Sequence, residues 1–266
     1  MNIALIGAGV MGETLLSGIL RSGIAPEQIF VAEIRADRAV ELAQTYGVTC
    51  SDARTAVAKA DTVLLVVKPQ DIPNVLSDIA DALSTSALVI SLAAGITTKA
   101  MEAQLPEGQA VVRVMPNTPA LVAQGMSGVS AGSNCSAEQL DQVVQLMNSV
   151  GKTVVIPESL QDALTAVSGS GPAYIFYIIE SMVAAAVELG IDASMATELV
   201  EQTVFGAASL IMQTGDSAKT LRERVSSPNG VTVAAIRTLD QHAVREAFLA
   251  AMQAAVNRSI ELGQPS

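Results

Sequence analysis

Tryptophan is absent from the chain, aromatic residues make up 3% of it, and histidine occurs once, at His242. A core without large rings must be filled by Ala, Val, Leu, Ile and Met, and hydrophobic residues do account for 50% of the 266 positions. One histidine leaves a single candidate for a His-based proton relay, and no His/Cys/Asp group has metal-ligand spacing, so no metal is expected. Cysteine is scarce as well. Cys50 and Cys135 form no metal-like pair, and two thiols in a chain of this length read as a reducing, cytoplasmic setting. Basic residues are few: 15 Lys and Arg stand against 26 Asp and Glu, a net charge of −11. That balance argues against nucleic acid or an anionic membrane as a partner. Ala163–Ile179 carries no charge, but Ser168, Gly169, Ser170, Gly171 and Pro172 interrupt it, so it does not read as a membrane span. The apolar run at Asn2–Ile6 has no basic flank and gives way to glycines, unlike a signal peptide. No G-x-S-x-G elbow or Ser-His-acid order is present. Chemistry must then come mainly from a bound cofactor, with the protein supplying position and electrostatics.

What the chain does have is Gly7-Ala8-Gly9-Val10-Met11-Gly12, directly after a strand-like Asn2–Ile6. The G-x-G-x-x-G spacing has a physical reading. The first glycine permits a tight strand-to-helix turn, the second lets a pyrophosphate approach the backbone, and the third lets helix pack closely on strand. A helix from about Val10 to Ser22 would then aim its unpaired N–H groups and positive dipole end at the phosphates.

Strand-like and helix-like segments alternate as far as Ile156. Strands are expected at Ile29–Ala32, Val48–Cys50, Thr62–Val67, Leu88–Leu92, Ala110–Val114, Val129–Ser130 and Thr153–Ile156. Helices are expected at Asp37–Tyr46, Asp52–Ala58, Ile72–Ala82 and Ala137–Ser149. Such alternation implies an α/β, doubly wound parallel sheet over residues 1–157. Beyond Pro157 only helical periods remain. Ser159-x-x-Asp162 reads as a capping box, and helices follow at Leu160–Val167, Ala173–Leu189, Ser194–Gln213, Ala218–Val225, Thr232–Leu239 and Ala243–Leu262. Residues 158–266 therefore form an all-α domain. Ala173–Leu189 is apolar on nearly every face, and packing against a second copy of the chain would cover it.

Glu33 lies at the end of the second strand, where an acid bonds the adenosine ribose hydroxyls. That favours NAD over NADP, although Arg35 and Arg38 nearby oppose the preference. Lys68-Pro69, Ala93-Ala94-Gly95 and Pro116-Asn117-Thr118-Pro119 follow the next strands, at the ends where doubly wound sheets bind ligands. In the helical half, Ser226-Ser227-Pro228-Asn229-Gly230 is a tight turn leading into a helix, and its N–H groups, hydroxyls and dipole suit a carboxylate.

These stretches together resemble the pyrroline-5-carboxylate reductase family. The matching segments are Gly7–Gly12, Val67-Lys68-Pro69, Ala93-Ala94-Gly95, Met115–Ala120, Ser168–Tyr174 and Val225–Ala235, in the family's order and from end to end of the chain. The resemblance implies an N-terminal Rossmann domain, a helical dimerisation domain and NADP or NAD in reduced form as hydride donor. It also implies a cyclic imine substrate, a homodimer through the C-terminal helices and possible assembly of dimers into larger particles. By position, Ile6, Gly7, Ala8, Gly9, Val10, Met11 and Gly12 would hold the pyrophosphate. Glu33, Ile34 and Arg35 would meet the adenosine ribose, while Val67, Lys68, Pro69 and Ala94 would flank the other ribose and the nicotinamide. Asn117 would face the reacting ring. Ser226, Ser227, Asn229, Gly230 and Val231 would hold the substrate carboxylate, and Thr232 would offer its hydroxyl to the ring nitrogen. The chain departs from the family pattern at Val10, where Asn or Gln is common, and at Glu33-Ile34, where many NADPH-using members have a small polar or Asn-Arg pair.

Two other readings compete. A β-hydroxyacid dehydrogenase also joins a Rossmann domain to a helical one, but its chemistry wants a Lys on the interdomain helix, and none lies between Asp162 and Glu188. A non-catalytic nucleotide sensor or pyridoxal-linked regulator would keep the fold without turnover.

Overall fold

Runs such as Ile3–Ile6 and Thr62–Leu65 are apolar at every position, which suits strands covered by helices on both faces of a sheet. The computed structural model, which describes residues 1–263, has this arrangement. Its strands are β1 (Ile3–Ile6), β2 (Ile29–Ala32), β3 (Thr49–Cys50), β4 (Thr62–Leu65), β5 (Leu88–Ser91), β6 (Ala110–Met115), β7 (Gly125–Ala131) and β8 (Gly151–Val155). They form one sheet in the order β3-β2-β1-β4-β5-β6-β7-β8. The first six run parallel, with Ile3 between Ile29 and Thr62. The connecting helices are α1 (Val10–Arg21), α2 (Ala36–Tyr46), α3 (Ala53–Val57), α4 (Ile72–Ile79), α5 (Thr98–Glu102) and α6 (Ala137–Met147). The period of two along β1 divides the core. Ile3 and Leu5 pack with Leu15, Leu16 and Ile19 of α1, while Ala4 and Ile6 pack on the other face with Ile72, Leu76 and Ile79 of α4. From β1 the chain builds outward to β2 and β3 and then returns to β4 on the other side. The parallel carboxyl ends beside that crossover are the switch point of the sheet.

Two strands depart from the all-parallel expectation, since β8 pairs parallel with β7 and both run against the first six. β7 runs antiparallel to β6, with Val129 opposite Val114, and begins at Gly125, well before the expected Val129. Only residues 116–124 separate the two strands, and a 3₁₀ turn at Thr118–Val122 occupies part of that link. A parallel return needs a longer crossover, so the short link dictates the antiparallel pair. β4 also stops at Leu65, before the expected Val67, because Val66 and Val67 already belong to the turn.

After β8 come a 3₁₀ turn at Glu158–Leu160, α7 (Gln161–Leu164), a π-helical turn at Thr165–Gly169, and α8 (Gly171–Glu188). α9 (Ala193–Thr214), α10 (Ala218–Arg224), α11 (Val231–Gln241) and α12 (Val244–Leu262) follow. The expected capping box does not form: Ser159 lies inside the 3₁₀ turn, and Asp162 Oδ1 accepts instead from Ser259 Oγ at 2.7 Å. Nor does Ser168–Pro172 break the helix. Ser170 N–H donates to Thr165 O at 2.8 Å, a bond one residue longer than the α-helical one, and the turn widens to absorb the glycines.

Two compact units result: Met1–Ser170 with the end of the chain from Ala255, and Gly171–Ala254. This division lies beyond the expected 157/158 boundary because residues 158–170 pack on the sheet. Gln161, fully buried, donates to Ser130 Oγ at 2.8 Å, and Leu164 fills the space over Gly128. In the second unit α8 and α9 pack together, yet Phe176, Tyr177, Leu189, Phe205 and Met212 stay largely exposed. The helical run Glu158–Glu188 is long and apolar enough to cross a membrane by length and composition alone. Apolar surface on this scale calls for a covering partner.

Candidate active site

The three glycines of the first turn are there for different reasons. Gly7 takes φ +91°, and a Cβ on it would lie 2.6 Å from Val66 O. A Cβ on Gly12 would lie 2.2 Å from Gly7 O. The protein's own packing demands both. Gly9 has an ordinary φ of −66°, and a Cβ there would meet nothing within 4 Å. Nothing in the chain's own packing requires glycine at this position. Gly9 is also the N-cap of α1 and makes no side-chain cap bond, so the first-turn N–H groups remain open. An open, glycine-walled helix start fits a dinucleotide's diphosphate. Ile6 and Ala8 turn their side chains into the core and offer backbone only, whereas Val10 is exposed.

Beside this turn, Glu33 follows β2 with its side chain only 6% exposed. Its Oε2 accepts from Ala8 N–H at 3.2 Å, and its Oε1 accepts from both Arg35 N–H and Arg35 Nε at 3.1 Å. Burial alone would raise the pKa of Glu33, but the bonds from Arg35 and Ala8 outweigh it and hold the carboxyl below its ordinary value. Ile34 is fully exposed. Arg38 pairs with Glu13 in the first turn of α1 and with Glu41 Oε2 at 2.7 Å, and Tyr46 Oη also donates to Glu13, at 3.0 Å.

The turns after β4, β5 and β6 share the same edge of the sheet. Val67 Cγ1 would lie 2.9 Å from a Cβ on Gly7, which places the β4 turn against the glycine turn. Lys68 is exposed and precedes the 3₁₀ turn Pro69–Asp71. Ala94 is half-buried, and Gly95 bends the chain at φ +77°. Asn117, expected to face the reacting ring, is hydrogen-bonded within the chain. Its Nδ2 donates to Ser168 O at 3.1 Å and Ser168 Oγ at 3.3 Å, and its Oδ1 accepts from Met126 N–H at 2.8 Å. Both ends of the amide are engaged. The reason is legible four residues on: Pro172 has no N–H for the Ser168 carbonyl, and Asn117 replaces the missing donor.

The Ser226–Thr232 turn belongs to the second unit. Ser226 Oγ donates to Arg222 O at 2.6 Å, and Gly230 N–H donates to Ser227 O at 2.9 Å. A Cβ on Gly230 would lie 2.5 Å from Ser227 Oγ, and Asn229 turns the chain at φ +58°. Gly230 is the N-cap of α11 with no side-chain bond, so the first-turn N–H groups of Val231 and Thr232 stay open to an anion. Thr232 is half-buried there, while Ser227, Asn229 and Val231 are exposed. His242 closes the far end of α11.

Sequence reasoning overlooked one buried ionic group. Arg113, 4% exposed in the middle of β6, faces Glu158 Oε1 at 3.6 Å and Asp162 Oδ1 at 3.9 Å. Glu158 also accepts from Thr98 N–H and Thr98 Oγ1, both at 2.7 Å. An arginine inside Ala-Val-Val-Arg-Val-Met was the available signal. Among the described residues no group of His, Cys, Asp and Glu is arranged to hold a metal ion.

Comparison with known proteins points one way. Residues 158–262 match the family model for pyrroline-5-carboxylate reductase dimerisation, and residues 2–95 match that for coenzyme F420-dependent NADP oxidoreductases. A pyrroline-5-carboxylate reductase of Corynebacterium melassecola is 45% identical, the alignment covering 99% of each chain. A solved pyrroline-5-carboxylate reductase from Coxiella burnetii superposes with a TM-score of 0.94 at 38% identity, covering 99% of each chain. That of Plasmodium falciparum, solved with NADP bound, gives a TM-score of 0.88 at 27% identity, covering 99% of this chain and 98% of the other.

Proposed function

The chain belongs to the pyrroline-5-carboxylate reductase family, and from that premise we propose how its residues divide the reaction. It reduces 1-pyrroline-5-carboxylate to proline, the last step of proline biosynthesis, with NADH or NADPH as donor. When bound, the reduced nicotinamide supplies the hydride that the C=N carbon accepts. A protonated cyclic imine is already a good electrophile, so a strong general acid is not required of a chain with one histidine. Holding donor and acceptor carbons about 3–3.5 Å apart supplies on the order of 7–11 kcal/mol of the barrier reduction.

The backbone from Ile6 to Gly12 holds the diphosphate, and the open side of Gly9 is the observation that carries this assignment. Glu33, Ile34 and Arg35 meet the adenosine ribose. Val67, Lys68, Pro69 and Ala94 flank the other ribose and the nicotinamide. Asn117 acts by position: with its amide engaged at both ends, it fixes the turn after β6 against Ser168. The uncapped start of α11, with Ser226, Ser227, Asn229, Gly230 and Val231, holds the substrate carboxylate. Thr232 orients the ring nitrogen through its hydroxyl.

The dimerisation match supports a homodimer, and the exposed apolar faces of α8 and α9 meet the second copy rather than a bilayer. A soluble, cytoplasmic enzyme without nucleic-acid partners accords with the acidic balance of the chain. The test is loss of reduced-nicotinamide absorbance on adding pyrroline-5-carboxylate. Turnover is expected with at least one nucleotide, and nucleotide binding without turnover would turn the reading into that of a sensor.

A further inference from the structure

We infer that this reductase selects NADH over NADPH, and that Glu33, together with the pairing of the arginines around it, makes the selection. The inference rests on the dinucleotide reading of the glycine turn, for which the open cradle at Gly9 is the structural fit. The two donors differ only at the adenosine 2′ position, where one carries a hydroxyl and the other a phosphate. A hydroxyl needs a fixed acceptor, whereas a phosphate needs uncommitted cationic donors.

Glu33 is such an acceptor. Ala8 N–H, inside the glycine turn, and Arg35 anchor one oxygen each, at 3.2 and 3.1 Å, so the carboxylate cannot swing away. Oε2 has given only one of its lone pairs to Ala8, and the other remains for a ribose hydroxyl. A 2′-phosphate at the same place would set its charge against that carboxylate.

The arginines do not offset this. Arg35 gives Nε to Glu33, and the ion pair as a whole brings no net charge to the site. Arg38, with its side chain 16% exposed, is held between Glu13 and Glu41. Arg54 is forked onto Asp81, at 2.6 and 3.0 Å, and onto Asp78 O at 2.5 Å. The depression that Glu33 and Ile34 border measures about 480 Å³, and Ser51, Asp52 and Asp78 also line it. Three of its lining residues are acids and none is basic. A dianionic phosphate would therefore enter a field of its own sign.

The test is binding, independent of turnover. Titration calorimetry with NADH and NADPH, and with AMP against adenosine 2′,5′-bisphosphate, should show the partner lacking the 2′-phosphate binding at least about tenfold tighter. Glu33→Gln keeps the shape and one acceptor but removes the charge, and should narrow that ratio chiefly by improving the 2′-phosphorylated ligands. Glu33→Ser should narrow it further by freeing Arg35. Equal or tighter binding of NADPH by the unaltered protein would overturn the selection while leaving the reductase reading intact. Failure of both nucleotides to bind would overturn the dinucleotide reading and the selection with it.

Discussion

Replacing Gly9 by alanine should separate binding from folding more cleanly than any other change in the glycine turn. The new methyl would meet no protein atom within 4 Å, and the backbone at φ −66° and ψ −168° is open to alanine. Alanine is a poorer N-cap than glycine, so the cost to folding is at most about 1 kcal/mol. For a chain of this size that lowers Tm by about 2–4 °C. The same methyl would stand in the space offered to the diphosphate. Losing one hydrogen bond from an N–H to a charged oxygen costs about 1.5–3 kcal/mol, which is a rise of about 10- to 150-fold in dinucleotide Kd. Gly12→Ala is the contrast, since its methyl would lie 2.2 Å from the Gly7 carbonyl oxygen. It should lose stability by about 1–3 kcal/mol or more, and binding along with it. Thermal melts and calorimetric titration of both variants give the four numbers required. Unchanged dinucleotide affinity in Gly9→Ala, or a loss of stability equal to that of Gly12→Ala, would refute the assignment of Gly9 to the ligand.

Thr232→Ala should lower kcat strongly with little change in nucleotide Kd, and Thr232→Ser should restore much of the rate; steady-state kinetics beside calorimetry would show whether the hydroxyl matters. Asn117→Ala leaves Ser168 O and Met126 N–H without their side-chain partner, a loss of about 2 kcal/mol for half-buried groups. Hydrogen exchange should then quicken at 165–170 and in the first residues of β7, and unaltered protection there would contradict the bridging role. Phe205, 68% exposed on α9, should tolerate Glu within one copy but not between two. Light scattering is expected to find Phe205→Glu as a monomer, and an intact dimer would place the interface elsewhere.

The sequence by itself determined those features whose cause is local. A strand followed by glycines at fixed spacing, apolar runs of the right length, and Gly47 and Gly215 as left-handed helix stops all act within a few residues. The parallel first six strands and the helical second half were readable for that reason. So was the resemblance, because the family's motifs are short contiguous stretches. Direction and length of β7 were less readable, since Gly125–Ala131 is rich in glycine and serine and its pairing follows from the short link to β6. Only the tertiary structure decided what partners the polar side chains take. Asp162, read as a cap, bonds Ser259; Asn117, read as facing the ring, bonds Ser168 and Met126; Arg38, read as a cation beside the ribose, is spent on Glu13 and Glu41. Each of these bonds joins residues distant in sequence or competes with one that does. A hydrogen bond or ion pair is decided by which groups arrive within about 3 Å, and that is a property of the packed chain rather than of its order.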